Sequence, residues 1–214
     1  PDGHTIAMLP ISIYAINRFL YARLPFDPDR DLIPASLVWD FPNVAVVSAQ
    51  HVPARTLAEF VAWAKARPGG ISYGSSGVGT TIHLSGALFA ARNGIEATHV
   101  PFRGSGQSVP AMIGGQVDVV FAALPSLSGF AEKGQAKILA TNSGQRSALA
   151  PNIPAIAEIV PGFDFAVTVG ALGASGIPPY AVKRMSEEIA KAVKDPAVVK
   201  QFNTLGIESV GGTP

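Results

Sequence analysis

The chain has 214 residues, 48% apolar and 14% charged, with a formal net charge of +1. This allows one large or two small domains with an ample core, and it excludes a disordered chain. The balanced charge, with no Lys/Arg run interleaved with aromatics, excludes an electrostatic nucleic-acid binder; the absence of cysteine excludes thiolate metal sites, thiol nucleophiles and disulfides.

A cysteine-free composition fits an export compartment. No apolar run approaches the ~20 residues of a membrane helix, so the chain is not expected to span a bilayer. It opens on Pro1-Asp-Gly-His without Met and without a signal peptide, and it reads as a mature or truncated piece.

In chain order, Thr5 to Leu9 is a short apolar run that predicts a buried strand ended by Pro10, and Ile11 to Tyr21 holds a helical turn or two. Leu24-Pro-Phe-Asp-Pro-Asp-Arg-Asp31 is turn-rich. Its Asp27, Asp29 and Asp31 imitate the start of a calcium loop, but Leu32 stands where that loop needs Gly and Val38 where it needs a bidentate Glu. A solvated acidic turn is the reading kept. Asn43 to Ser48 is the next strand.

From residue 56 the pattern becomes regular. Thr56-Leu-Ala-Glu59 is a capping box that opens a helix with Leu57, Phe60, Val61 and Ala64 on one face. Pro68-Gly69-Gly70 stops it. Strand 71–74 leads through loop 75–79 into a helix near 80–92, with Leu84, Leu88 and Ala91 on one face and Gly94 past its end. Strand 97–101 leads to a short helix before Gly114-Gly115, strand 117–121 to a helix near 126–133, and strand 137–142 closes the series. Strands alternating with helices predict a parallel sheet with crossover helices, an α/β fold. Right-handed crossovers bring loops 75–79, 102–105 and 122–126 to one edge, where open α/β sheets bind ligands. Phe163 to Leu172 is a further extended stretch. Pro178-Pro179 starts the last clear helix, buried through Val182, Met185, Ile189 and Val193, and a short helix near 197–205 follows Asp195-Pro196. The tail from Ile207 looks cut off before a further element.

The stretch that carries chemistry is Tyr73-Gly-Ser-Ser-Gly-Val-Gly-Thr-Thr-Ile-His83. The first N–H groups of the helix after it lack intrahelical partners and lie at the positive end of the helix dipole. Small residues let a ligand approach that backbone closely, so the turn is a ready site for a carboxylate or phosphate; an ordinary strand-to-helix turn is the alternative. Gly70-Ile-Ser-Tyr-Gly74 matches the hydrolase G-x-S-x-G pattern, but Ser72 sits within a strand rather than at the sharp turn a nucleophile needs. Ser75 and Ser76 are better placed but need a base. His83 is expected to pack or cap. His4, His51 and His99 are scattered, without metal-ligand spacing. Asp118 is expected to cap a loop locally. No Walker loop occurs. Between residues 71 and 131 only Arg92, Glu96, Arg103 and Asp118 are charged, a set better suited to holding a ligand than to transforming it.

Seven motifs recur in one family in this order: Pro1-Asp-Gly-His-Thr5, Leu24-Pro-Phe-Asp27, Tyr73-Gly-Ser-Ser-Gly-Val-Gly79, His99-Val-Pro-Phe-Arg-Gly-Ser105, Gly114-Gly-Gln-Val-Asp118, Pro151-Asn-Ile-Pro-Ala-Ile-Ala-Glu158 and Val210-Gly-Gly-Thr-Pro214. Over essentially its whole length the chain resembles the Bug-type solute receptors of tripartite tricarboxylate transporters. The resemblance implies a type II periplasmic binding fold of two α/β domains: 1–45 as part of the first domain, 46–163 as the second, and 164–214 as the crossover and return. It implies an exported, monomeric, non-enzymatic receptor without cofactor or metal. Such a receptor takes a small carboxylate between its domains and passes it to a membrane transporter. It implies a cradle of Ser75, Ser76, Gly77, Gly79, Thr80 and Thr81, with Phe102, Arg103 and Gly104 on the adjacent wall. Family members usually begin about 60 residues earlier, compatible with domains of ~100 residues or more, so the first domain is expected to be incomplete. Where relatives carry small polar residues this chain has Leu9-Pro-Ile-Ser12; Ala122 replaces an acid or Asn, and Thr168 a Trp. These departures imply a less polar pocket around Ser12, Ala122 and Thr168, for an aromatic or longer aliphatic acid. Arg103 replaces a common Lys, as a bidentate carboxylate clamp or a rim charge. The alternatives in other classes are an α/β serine hydrolase at Ser72 or Ser76 and a ligand-sensing module.

Overall fold

The structure is a computed structural model. It describes residues 2–213, the Ser128 side chain excepted; Pro1 and Pro214, which end two of the quoted motifs, lie outside the described residues. The elements run β1 (Ile6–Pro10), α1 (Ile11–Ala15), α2 (Asn17–Leu20), α3 (Pro28–Asp31), β2 (Leu32–Phe41), β3 (Asn43–Ser48), α4 (Leu57–Lys65), β4 (Ile71–Ser75), α5 (Thr81–Asn93), β5 (Ala97–Pro101), α6 (Ser105–Ile113), β6 (Val119–Ala123), α7 (Ser128–Glu132), β7 (Ala136–Thr141), β8 (Val167–Ala174), α8 (Pro179–Ala192), α9 (Pro196–Thr204) and β9 (Glu208–Ser209). They form two compact units, Pro1–Phe41 with Val167–Pro214, and Pro42–Ala166. The second unit begins earlier than the expected residue 46 because all of β3 is an interior strand of its sheet, buried at every position.

The second unit holds a five-stranded sheet in the order β5-β4-β6-β3-β7. β4 runs parallel to β5 and β6, whereas β3 runs antiparallel to both β6 and β7. The expected parallel sheet is therefore mixed. Although α4 joins β3 to β4, β3 is inserted between β6 and β7 and runs antiparallel to both, so this first helical connection is not a parallel crossover. The carboxyl ends of β4, β5, β6 and β7 and the start of β3 still share one edge, as the loop argument requires.

Local chemistry sets the helix ends. The Thr56 hydroxyl accepts from the Glu59 N–H at 3.2 Å, while the Glu59 carboxylate accepts from Arg55 N at 2.7 Å rather than from Thr56 N, so the expected capping box closes one residue further out. Thr80 caps α5 through the His83 N–H at 3.2 Å, and Gly94 ends it at φ 62°. The buried face of α5 is not the expected Leu84/Leu88/Ala91 stripe. Ile82, Ser85, Gly86 and Phe89 face inward, Leu84 and Leu88 are half-buried, and Ala91 is exposed. Small Ser85 and Gly86 permit a closer approach to the sheet than two leucines would: a Cβ on Gly86 would overlap the Tyr73 ring. Phe89 stacks on Phe60 and tilts against Phe121, with ring centroids 6.3 and 6.0 Å apart, and all three are buried. Each such burial stabilises the core by about 1.5–3 kcal/mol.

The first unit is an antiparallel sheet in the order β1-β8-β2-β9. Val182, Met185, Ile189 and Val193 from the α8 segment pack with Ala35, Val38 and Ala171, on the expected stripe. The extended stretch near 163–172 becomes β8 only from Val167. In the acidic turn Asp27 accepts from Asp29 N to cap α3, Asp29 pairs with Arg18, and Asp31 pairs with Arg30. Each acid thus has its own nearby partner.

Candidate functional site

β4 ends on Ser75, one residue later than the sequence indicates. Gly74 makes the strand end tight: a Cβ there would stand 2.7 Å from Val120 Cγ1 and 3.2 Å from the Phe102 ring. The Phe102 N–H donates to the Ser75 carbonyl at 3.1 Å, which joins the two loops. Ser75 is fully buried. Its Oγ accepts from Gly77 N at 3.1 Å and lies 2.6 Å from His99 Nε2. Gly77 (φ 133°) and Gly79 (φ 79°) turn the chain through backbone angles that side-chain-bearing residues rarely adopt. The Thr80 hydroxyl donates to the Gly77 carbonyl at 2.8 Å, and Gly79 N donates to His83 Nδ1 at 3.2 Å.

Tyr73, His83 and His99 form a stack beside this turn. The His83–His99 centroids are 4.0 Å apart and the Tyr73–His99 centroids 5.0 Å. Burial pushes the His83 imidazole below its ordinary value. Burial, reinforced by His83, pushes His99 down to about 4.

The structure brings Ser75, Ser76, Gly77, Gly79, Thr80 and Thr81 into one turn and first helical turn, beside Phe102, Arg103 and Gly104. Within that set the roles divide. Ser75 Oγ, the Gly77 and Gly79 amides and Thr80 Oγ1 are committed to the turn itself. The hydroxyls of half-buried Ser76 and buried Thr81 take no part in the turn's hydrogen bonds, and the first-turn N–H groups of Thr81 and Ile82 lack intrahelical partners. Arg103 is exposed, and its N–H donates to Gln107 Oε1 at 3.1 Å. Gly104, at φ 98°, precedes α6.

Three sequence-selected residues lie in other elements. Ala122 is fully buried in β6, packed with Val44, Val46, Val120 and Leu127, so its side chain belongs to the core. Ser12 in α1 and Thr168 in β8 belong to the first unit.

Asp118 lies just before β6 rather than inside a strand. Its carboxylate accepts from Ser72 N at 2.7 Å, Ser72 Oγ at 3.0 Å and Arg67 Nη1 at 2.8 Å. Ser72 is therefore tied into the strand start and is no nucleophile elbow. His83 does cap the loop, as the sequence indicates.

Sequence reasoning missed His99 and Asn142. His99 meets Tyr73 only through the β4–β5 register, which pairs those two residues. Asn142 is fully buried just past β7. Its Oδ1 accepts from Asn43 N at 2.9 Å, and its Nδ2 donates to Ser85 Oγ at 3.1 Å and to the Phe165 carbonyl at 2.6 Å. An Asn directly after an apolar strand was the available signal.

Residues 1–213 match the family described as tripartite tricarboxylate transporter family receptor. The chain belongs to this family. A UPF0065 protein in the tcbD–tcbE intergenic region of Pseudomonas sp. (strain P51) is 36% identical over 215 residues, covering 100% of this chain and 63% of the relative. The chain thus spans less than two thirds of that relative's length. A solved structure described as a periplasmic transporter is 32% identical, with a TM-score of 0.87 over 100% of this chain and 72% of its own. An R. palustris protein solved with adipate is 29% identical, with a TM-score of 0.89 over 100% of this chain and 71% of its own. The receptor family also accounts for the fold class: an α/β chain with the architecture of periplasmic binding proteins.

Proposed function

We propose that this receptor-family chain captures a small organic carboxylate outside the cytoplasm, in the periplasm, and delivers it to membrane subunits of a tripartite tricarboxylate-type transporter. It acts as a monomeric binding protein, without catalysis or cofactor. The observation that carries this reading is the turn at the sheet edge. It presents the N-terminus of a 13-residue helix, two uncommitted hydroxyls, and a neighbouring loop with an exposed Arg. Unpaired first-turn amides and the helix dipole favour an anion. The near absence of other charge favours a carboxylate over a multiply charged phosphate. The adipate held by the R. palustris relative supports a longer aliphatic diacid as the first ligand to try. Because Ala122 is core, it no longer supports a less polar pocket.

The Ser75–His99 distance of 2.6 Å is also that of a nucleophile and its base. Against a hydrolase stand the full burial of Ser75 and the commitment of its hydroxyl to Gly77. Among the described residues His99 hydrogen-bonds to Ser75 and to no carboxylate, so no acid orients that imidazole as a triad requires.

The test is a titration of the chain with adipate, succinate, citrate, glutamate and benzoate, followed by thermal shift and calorimetry. At a hundred times its dissociation constant a true ligand adds ~2.7 kcal/mol of stability. Covalent labelling of Ser75 or Ser76 by a fluorophosphonate, with no acid bound, would overturn the receptor reading.

A further inference from the structure

The turn that carries the proposed anion site is held from two sides by imidazoles. On one side, the Gly79 N–H donates to His83 Nδ1. That nitrogen must present a lone pair, so the His83 proton sits on Nε2. On the other side, His99 Nε2 meets Ser75 Oγ, and the same oxygen takes the Gly77 N–H. The two rings lie 4.0 Å apart and Tyr73 stacks on them.

We propose that His83 and His99 are positioning residues of the carboxylate cradle: as a stacked, uncharged pair they fix the Gly77 and Gly79 amides and so preset the backbone that presents the anion donors. This rests on the receptor reading for its ligand, but not for its hydrogen bonds.

The chemistry of the pair requires neutrality. A proton on His83 Nδ1 would place a second donor against the Gly79 N–H and break that contact. A charge on either ring would face the other ring at stacking distance. The titratable groups that face the pair are Tyr73 from β4 and the imidazoles themselves from α5 and β5, and no carboxylate among the described residues contributes to their electrostatics. Fixing the turn before ligand arrives lowers the ordering cost of binding. It also withholds two amides from the ligand, which directs the anion to the Thr81 and Ile82 N–H groups and the Ser76 and Thr81 hydroxyls.

The experiment has a ligand-free arm and a ligand arm. In the wild-type chain, imidazole nitrogen shifts should show His99 uncharged at about pH 5.5, where an ordinary histidine is mostly charged, and at about pH 7.5 should show the His83 proton on Nε2. His83→Phe keeps a stacking ring and removes the acceptor. It should speed Gly79 amide exchange and weaken adipate binding by about tenfold each, the scale of one net hydrogen bond. His83→Asn, which returns an acceptor near the Nδ1 position, should recover both. Unchanged Gly79 exchange in His83→Phe would overturn the proposal, as would a His83 proton on Nδ1 in the wild type, a readout that survives if the variant does not fold. If no acid binds the wild type, the receptor reading fails separately, while the exchange and nitrogen-shift data still decide the positioning role.

Discussion

Replacing Asn142 with alanine removes one side chain and leaves three polar groups without their partner. The Asn43 N–H, the Ser85 hydroxyl and the Phe165 carbonyl all bond to it, and Asn43 and Ser85 are fully buried. A buried group left unpaired costs about 1–3 kcal/mol. Phe165 is only half-buried and can recruit water. Counting the two enclosed groups at the low to middle of that range gives a loss of ~2–4 kcal/mol, a large share of the ~5–15 kcal/mol typical of a folded domain. The expected result is a clear fall in the urea midpoint with little change in slope, monitored by far-UV circular dichroism. Asn142→Asp separates the parts: it keeps an acceptor for the Asn43 N–H but turns a carboxylate oxygen toward the Phe165 carbonyl. It should therefore be destabilised at neutral pH and partly recover when protonated. An Asn142→Ala variant within ~0.5 kcal/mol of wild type, the range of an ordinary surface change, would refute the reasoning that this amide locks the start of β3 to the end of β7.

The depressed His99 value has a sign that can be checked. Between the ordinary 6.5 and about 4 the unfolded chain binds a proton that the folded chain does not, so stability is complete above 6.5 and is lost as pH falls toward 4. The upper bound is ~3 kcal/mol, cut to roughly 1–2 by partial solvent screening; His99→Phe should flatten that limb of a stability–pH curve, and an unaltered slope would argue against His99 as its source. Gly86→Ala places a methyl group into the Tyr73 ring. Overpacking should cost ~1–3 kcal/mol, outweighing alanine's helix preference of ~1 kcal/mol; a higher melting temperature would contradict the close approach. Arg103→Glu is exposed and should leave stability within ~0.5 kcal/mol while abolishing adipate binding if Arg103 clamps the carboxylate. An unchanged dissociation constant would make it a rim charge.

Helix ends were legible because they are decided within four residues. Thr56 and Gly94 carry their capping chemistry in the sequence, and each caps or ends its helix. The β4–α5 turn was legible for the same reason, since Gly and small hydroxyl residues between a strand and a helix specify a tight, donor-rich corner. The inward face of α5 was not. The apolar spacing picked out Leu84, Leu88 and Ala91, whereas the sheet took the stripe of Ile82, Ser85, Gly86 and Phe89, because Gly86 admits the Tyr73 ring.

The sequence by itself determined the alternation of strands and helices, the edge to which the loops return and the location of the Gly/Ser turn. All of these follow from local dihedral preference and from the handedness of crossovers. Tertiary structure alone decided the direction of β3, the burial of Ala122 and the partners of Ser75 and Asn142. Those depend on which strand lies beside which, and in what register. The Ser75–His99 contact spans 24 positions and the Asn142–Asn43 contact 99. No local propensity encodes such a distance; only the pairing of β4 with β5, and of β3 with β7, brings those groups within reach.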